Sequence, residues 1–316
     1  MDSVLKASYR FCERIARERA GNFYYGFKVF PRAKRRAICA MYAFMRYCDD
    51  ISDAEEESTP LPAEPALVPD QERVSPLEMK ARALEQWRTA LDEAMAGNYG
   101  DNEIMPAFHD AMSRFKIPAK YFHELIDGAE MDLSIGRYET FDELYEYCYR
   151  VASVVGLVCI HIFGFSEDIA MQYAEYYGIA FQLTNILRDI KEDAERGRIY
   201  LPLEDLRQFG YSEADLVNSV SDDRFYRLMQ FEVERARSYY LKGAPLVDLI
   251  DKASRGGLMA MVGIYSGVLN RIEERNYDVF TERMTLSTKE KLSIAARALI
   301  DAQRSRENSL SPGGRG

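Results

Sequence analysis

The chain has 316 residues, 47% of them apolar and 12% aromatic, with 19 glycines and 11 prolines. That composition supplies a large core and excludes disordered, collagen-like and disulfide-stapled classes. Lys and Arg number 41 against 51 Asp and Glu, a net charge of −10, which repels phosphate backbones unless a local basic patch intervenes, so nucleic acid is set aside as a partner.

Apolar residues recur at steps of three and four along almost every segment, with no sustained alternation of the strand type, so the periodicity predicts an all-α chain. Taken in order, helices are expected over 2–20, 32–53, 77–97, 102–115, 118–133, 140–164, 166–194, 203–207, 212–219, 221–242, 244–250, 253–276 and 287–304. Pro31 suits the start of the second, because its missing N–H would be unpaired there. Residues 54–76 hold five of the eleven prolines and several acids, and read as an exposed connector inside one domain of 1–302. Segment 140–164 turns apolar on all sides after Tyr149, as a helix surrounded by others does. Residues 303–316 are polar and Gly-rich and are expected to be a disordered tail. No internal repeat is present.

The five cysteines contain no C-x-x-C pair and sit in apolar stretches, the pattern of buried free thiols in a reducing compartment. MDSVLKASYRFCER lacks the apolar run of a signal peptide, and Val151–Phe165 is too short to span a bilayer. A cytoplasmic address is expected, with any membrane contact peripheral.

Two acidic constellations stand out. DDISD places Asp49, Asp50 and Asp53 at the end of the 32–53 helix, where Tyr42 and Met45 lie seven and four before Asp49 and Arg46 lies seven before Asp53. The first and last aspartates thus continue the inward stripe. Buried carboxylates require a cation or a metal; a solvated helix end leading into the acidic connector is the alternative. In QLTNILRDIKED, Gln182, Asn185, Asp189 and Asp193 form one polar line at steps of three, four and four on an otherwise apolar helix. Such a line needs buried partners. A core hydrogen-bond ladder is one solution; hard oxygen ligands for Mg²⁺ bridging to a diphosphate are the other. Arg46, Arg188, Arg196 and Arg198 lie beside these acids, placed either for phosphate or for intrahelical ion pairs. No E-x-x-H pairs, P-loop, G-x-G-x-x-G, H-E-x-x-H or G-x-S-x-G occurs, so phosphate would be held by metal and arginine and not by a glycine loop.

DDISD at 49–53, YCYRVASVVG at 147–156, QLTNILRDIKEDAERGRIYLP at 182–202 and IEERNYDVF at 272–280 together resemble the squalene and phytoene synthases, over about Tyr9 to Leu299. The phrasing around FYYGFKVFP looks most like bacterial presqualene diphosphate synthases. The resemblance implies a class I isoprenoid synthase bundle around a central cavity. It also implies dependence on about three magnesium ions, and head-to-head joining of two allylic prenyl diphosphates through a cyclopropyl diphosphate. Carried over, the metal ligands fall on Asp49, Asp50, Asp53, Asp189, Glu192 and Asp193. Substrate contacts fall on Arg46, Arg188, Gln182, Asn185, Tyr200, Phe23, Phe27 and Asn22. The early S-K-S-F element reads Ala20-Gly21-Asn22-Phe23 here, a departure that removes two hydroxyls. Tyr149, Tyr42 and Tyr277 are the expected reaction-centre tyrosines, each to be weighed against being one of 21 tyrosines in an ordinary core.

Phe27 falls where thirty-carbon synthases tend to be bulky, so two farnesyl diphosphates are expected in preference to two geranylgeranyl diphosphates. A class I terpene cyclase is the rival enzyme, and a non-catalytic isoprenoid-binding helical protein the rival of another class. No dinucleotide fingerprint indicates NADPH, no obligate protein partner is evident, and product delivery to a membrane would be by transient contact.

Overall fold

The computed structural model describes residues 3–53 and 74–308; the side chains of Asn22, Asp53 and 305–308 are outside that description. Most of the expected connector and the end of the expected tail therefore lie outside the described residues. The helices are α1 (Ser3–Arg19), α2 (Asn22–Phe27), α3 (Arg32–Asp53), α4 (Pro76–Met95), α5 (Met105–Phe115), α6 (Lys120–Ser134), α7 (Phe141–Cys148), α8 (Val154–Phe163), α9 (Ile169–Glu195), α10 (Leu203–Gln208), α11 (Glu213–Val217), α12 (Asp223–Gly243), α13 (Leu246–Leu249), α14 (Lys252–Glu274) and α15 (Thr288–Asn308). Among the described residues there is no strand, only two isolated bridges, Arg137 with Ile199 and Phe165 with Ile250.

Helices α3, α6, α8, α9 and α14 enclose the centre, and aromatic rings pin the outer helices to them. The Phe44 ring on α3 meets Trp87, Phe108 and Phe122, from α4, α5 and α6, at centroid distances of 5.0, 4.5 and 5.1 Å. Buried residues from Tyr9 to Leu286 form one continuous cluster.

Four features differ from the expected elements. Helix α2 is additional: Gly21 takes φ 50°, a left-handed conformation that glycine adopts without cost, and so lets a six-residue aromatic helix start between α1 and α3. Helix α4 begins at Pro76, inside the expected connector, because Ser75 and Glu78 form a reciprocal capping box with bonds of 3.2 and 3.0 Å. Helix α15 continues to Asn308, past the expected boundary at 303. The expected single helix over 140–164 is interrupted by a π-helical turn, Tyr149–Ser153. There an added Cβ at Gly178 of α9 would lie 2.3 Å from the Ser153 Cα, so only glycine admits this backbone contact. Taken whole, Phe141–Phe163 is 23 residues and apolar enough to cross a membrane by length and composition, which corrects the expectation that the run is too short. Half of its most apolar window is buried inside the fold, as in the core helix of a bundle.

The segment that carries Tyr200 is anchored by a buried ionic cluster. Arg235 Nη1 donates to Asp205 Oδ2 at 2.6 Å and to Glu232 at 2.8 and 2.9 Å, while its guanidinium lies 4.2 Å from the Phe141 ring centroid. Two enclosed carboxylates share one cation. Burial, together with the Asp205 charge and against the pull of Arg235, pushes the Glu232 carboxyl up to about 8. A carboxyl whose pKa is higher folded than unfolded contributes stability below its unfolded value and loses it as pH rises through the folded one. Thermal stability is therefore expected to fall between about pH 5 and 8. Glu232→Gln should flatten that slope in calorimetry, and an unaltered slope assigns it to other groups.

Candidate active site

A cavity of about 320 Å³ lies between α3, α6, α8, α9 and α14. Its apolar wall includes Phe23, Phe27, Met41, Phe181, Leu258 and Met261; its polar end includes Tyr42, Asp49, Asp132, Tyr147, Gln182 and Asn185. Phe27 is 5% exposed, stacks on Phe23 at 6.2 Å and meets Tyr42 edge-on at 6.0 Å. Phe23 continues the aromatic wall to Tyr265 at 4.7 Å. Cys159, expected to be buried, is half-buried and lines the cavity; all five cysteines are free thiols.

The acids beside the polar end are held by arginines. On α3, Asp50 Oδ1 accepts from Arg46 at 2.5 Å and from Arg19 of α1 at 2.7 Å, and Arg46 stands 4.0 Å from Asp49. On α9, Asp189 is clamped from two sides. Arg188 donates to it at 2.8 and 2.5 Å, and Arg283 donates from Nε at 2.8 Å and from Nη2 at 3.0 Å. Arg283 also stands 3.6 Å from Glu192. The loop that delivers Arg283 is fixed at its start, where Asp278 Oδ1 accepts from the Phe280 and Thr281 amides and Lys191 of α9 donates to the Phe280 carbonyl at 3.0 Å.

These contacts set the protonation states. Burial would raise Asp189, but Arg188 and Arg283 outweigh it and hold the carboxyl below its ordinary value. Asp193, one turn on, is raised to about 7, first by burial and then by the Asp189 charge, with Arg198 and Arg196 opposing. Asn185 Oδ1 is buried without a hydrogen-bond partner. No group of three or more His, Cys, Asp or Glu among the described residues is already gathered as a metal cage. Yet the orphaned Asn185 amide oxygen and Asp49 line the same cavity, and Asp193 is a crowded carboxyl two turns beyond Asn185 on α9, hard-oxygen donors of the kind that a divalent cation would relieve. The residues fit such an ion.

The tyrosines sort differently from the expectation. Tyr149 lies in an outer hollow with Lys120, Tyr121 and Gln172, and Tyr277 is buried edge-on against Tyr226 at 5.0 Å; neither lines the cavity. Tyr147 does. Its hydroxyl donates to Asp132 Oδ2 at 3.2 Å, while Tyr200 donates to Asp132 Oδ1 at 2.9 Å. Burial first, then the Asp132 charge, raises both phenols, and burial raises Tyr42 to about 12. Residues 147, 151, 155 and 159 line the cavity together with 152, 156, 160 and 163, and steps of four drift by about 40° each on a regular α-helix. The wider turn takes up part of that drift. Of the other expected positions, Phe23, Phe27, Tyr42, Asp49, Gln182 and Asn185 line the cavity. Arg188 and Glu192 line an adjoining hollow with Arg283. The side chains of Asn22 and Asp53 lie outside the description. Asp132, Tyr147, Arg283, Arg19 and Tyr265 were not among the expected site residues.

The squalene/phytoene synthase profile matches residues 16–290. The chain is 36% identical over 311 residues to the 15-cis-phytoene synthase of Synechocystis sp., covering 95% of this chain and 86% of that one. It is 37% identical over 301 residues to the phytoene synthase of Mycobacterium tuberculosis, covering 94% and 92%. Among solved structures, a dehydrosqualene synthase with bound ligand superposes with TM-score 0.81 at 25% identity, over 96% of this chain and 98% of that one. Squalene synthase HpnC of Alicyclobacillus acidocaldarius gives 0.76 at 25%, over 88% and 97%. The fold is that of the class I isoprenoid synthases, and the molecule is a prenyltransferase. It belongs to the squalene/phytoene synthase family, the head-to-head prenyl synthases.

Proposed function

We propose that the enzyme joins two geranylgeranyl diphosphates head to head, through a cyclopropyl diphosphate, to a forty-carbon product of the phytoene type. The observation that carries this reading is the set of relatives at 36–37% identity over nearly the whole chain, each named a phytoene synthase. It displaces the farnesyl preference drawn from Phe27. Two farnesyl diphosphates remain the second reading, favoured by the Phe27 ring standing in the cavity wall.

Asp49, Asp50 and Asp53 on one side, with Asp189, Glu192, Asp193 and Asn185 on the other, would hold about three magnesium ions, which when bound neutralise diphosphate and favour its departure. Arg46, Arg188 and Arg283 exchange their carboxylate partners for phosphate oxygens, which their forks match bidentately. As the carbon–oxygen bond of one substrate breaks, its electron pair leaves with diphosphate, and the double bond of the second substrate supplies the pair for the new carbon–carbon bond. The faces of Tyr42 and Phe23, which line the cavity, would stabilise the allylic cation. Loss of a proton closes the cyclopropane, with the Tyr147 hydroxyl, oriented by Asp132, relaying it toward diphosphate. The apolar wall excludes water that would quench the cation.

Incubation with each allylic diphosphate and Mg²⁺, with and without NADPH, and identification of the extracted products tests the reading. Geranylgeranyl diphosphate should be turned over faster and give a forty-carbon hydrocarbon; a cyclised monomeric skeleton would reverse the assignment. Phe27→Ala should leave the substrate ratio within about twofold. A rise above about tenfold, the burial of fewer than two further methylenes, would restore the thirty-carbon reading.

A further inference from the structure

A second hollow, of about 700 Å³, opens where α1, α2 and α3 meet. Each helix contributes positions one turn apart: Arg10, Arg14 and Arg17 from α1, Tyr24 of α2 with Lys28 just past its end, and Arg35 and Cys39 from α3. Five cations thus face one space on a chain whose net charge is −10. The one carboxylate in the lining, Glu13, is engaged by Arg36 at 3.4 Å. Among the described residues no carboxylate pairs with Arg10, Arg14, Lys28 or Arg35. Two of the cations are held on aromatic faces, Arg14 on Phe11 and Lys28 on Tyr24, both at 4.9 Å, which limits the rotamer freedom an incoming anion would have to remove.

Gathering five cations around one carboxylate that Arg36 already engages, with Arg17 alone of the five paired among the described residues, to Glu18 at 3.6 Å, costs energy unless an anion is supplied from outside. Val29, next to Lys28, packs against the cluster of Ala260, Ala295 and Ala298, the last two on α15, and that helix exposes Leu292, Leu299 and Ile300 at 51, 43 and 48%. We propose that this hollow and the adjoining face of α15 form a docking surface for anionic membrane lipid, with the lipid phosphates in the guanidinium-lined hollow. The choice of a lipid surface over a soluble phosphate rests on the proposed function, whose substrates are lipids with charged heads and whose product is a hydrocarbon, and on the apolar neighbours.

The test is co-sedimentation with vesicles of phosphatidylcholine, with and without phosphatidylglycerol, which requires no turnover and so stands or fails apart from the assigned reaction. The enzyme should bind only the phosphatidylglycerol vesicles, less as salt is raised. Arg14→Gln with Arg35→Gln should weaken partition about fivefold for each cation removed, with unchanged thermal unfolding and unchanged turnover of detergent-dispersed substrate. Arg227→Gln with Lys242→Gln, an equal charge change on α12, should bind as the wild type. Equal loss in both pairs, no loss in the first, or equal binding to phosphatidylcholine alone would overturn the proposal. So would protection of the hollow by inorganic diphosphate without vesicle binding, which would assign it to a soluble anion.

Discussion

Replacing Asp189 by Asn is expected to lower turnover by about a thousandfold or more at saturating Mg²⁺, the scale on which a preorganised charge at a reacting centre is felt. Asn keeps the size and one acceptor oxygen, so α9 should remain folded by circular dichroism. The charge is what is lost. Arg188 and Asp189 are only 12 and 16% exposed at their side chains, and removing one member of an enclosed pair costs about 3–5 kcal/mol when nothing replaces it. The retained amide oxygen should hold the loss to the lower part of that range. Asp193 supplies an independent readout: without the neighbouring carboxylate, its proton should come off at lower pH than the value near 7 it has beside Asp189. Near-native rate in Asp189→Asn would remove this residue from the metal and diphosphate machinery.

Tyr147→Phe should lower turnover by about 10²–10⁴-fold, the usual contribution of a positioned proton-transfer group, whereas Tyr149→Phe should leave it within about twofold. The stability cost should be small, about 1 kcal/mol for one hydrogen bond, because Asp132 keeps its bond from Tyr200 at 2.9 Å. Substrate-saturated rates of the two variants, measured side by side, separate the inward tyrosine from the outward one. The opposite ranking would return the role to Tyr149 and imply a different rotation of the π turn.

The long helices and the two acidic constellations were legible because each leaves a local mark: apolar spacing of three and four, and carboxylates on a face that should be apolar. Asp49, Gln182 and Asn185, which line the cavity, and Asp189 beside them carry that mark. What escaped has no local anomaly. Arg283 lies in a loop 94 residues from the aspartate it binds, and Asp132 is an unremarkable acid on α6 until packing sets it between two phenols. Tyr147 and Tyr149 differ by two positions in one motif, and the packed fold, not their local sequence, turns the first of them into the cavity. Ser75 and Pro76 were hidden by their setting, since a proline-rich stretch reads as connector although this proline is the first residue of a capped helix.

The clamp on Asp189 also bears on how the ligands find the site. With two guanidinium groups on one carboxylate, a lone cation must displace positive charge to reach that oxygen, and a lone diphosphate must draw the arginines off an acid that would be left unneutralised in a poorly hydrated setting. Each ligand makes the other's entry easier, and by thermodynamic reciprocity the gain is the same in both directions. Calorimetric titration should therefore show weak binding of Mg²⁺ alone and of inorganic diphosphate alone, and cooperative binding of the two together.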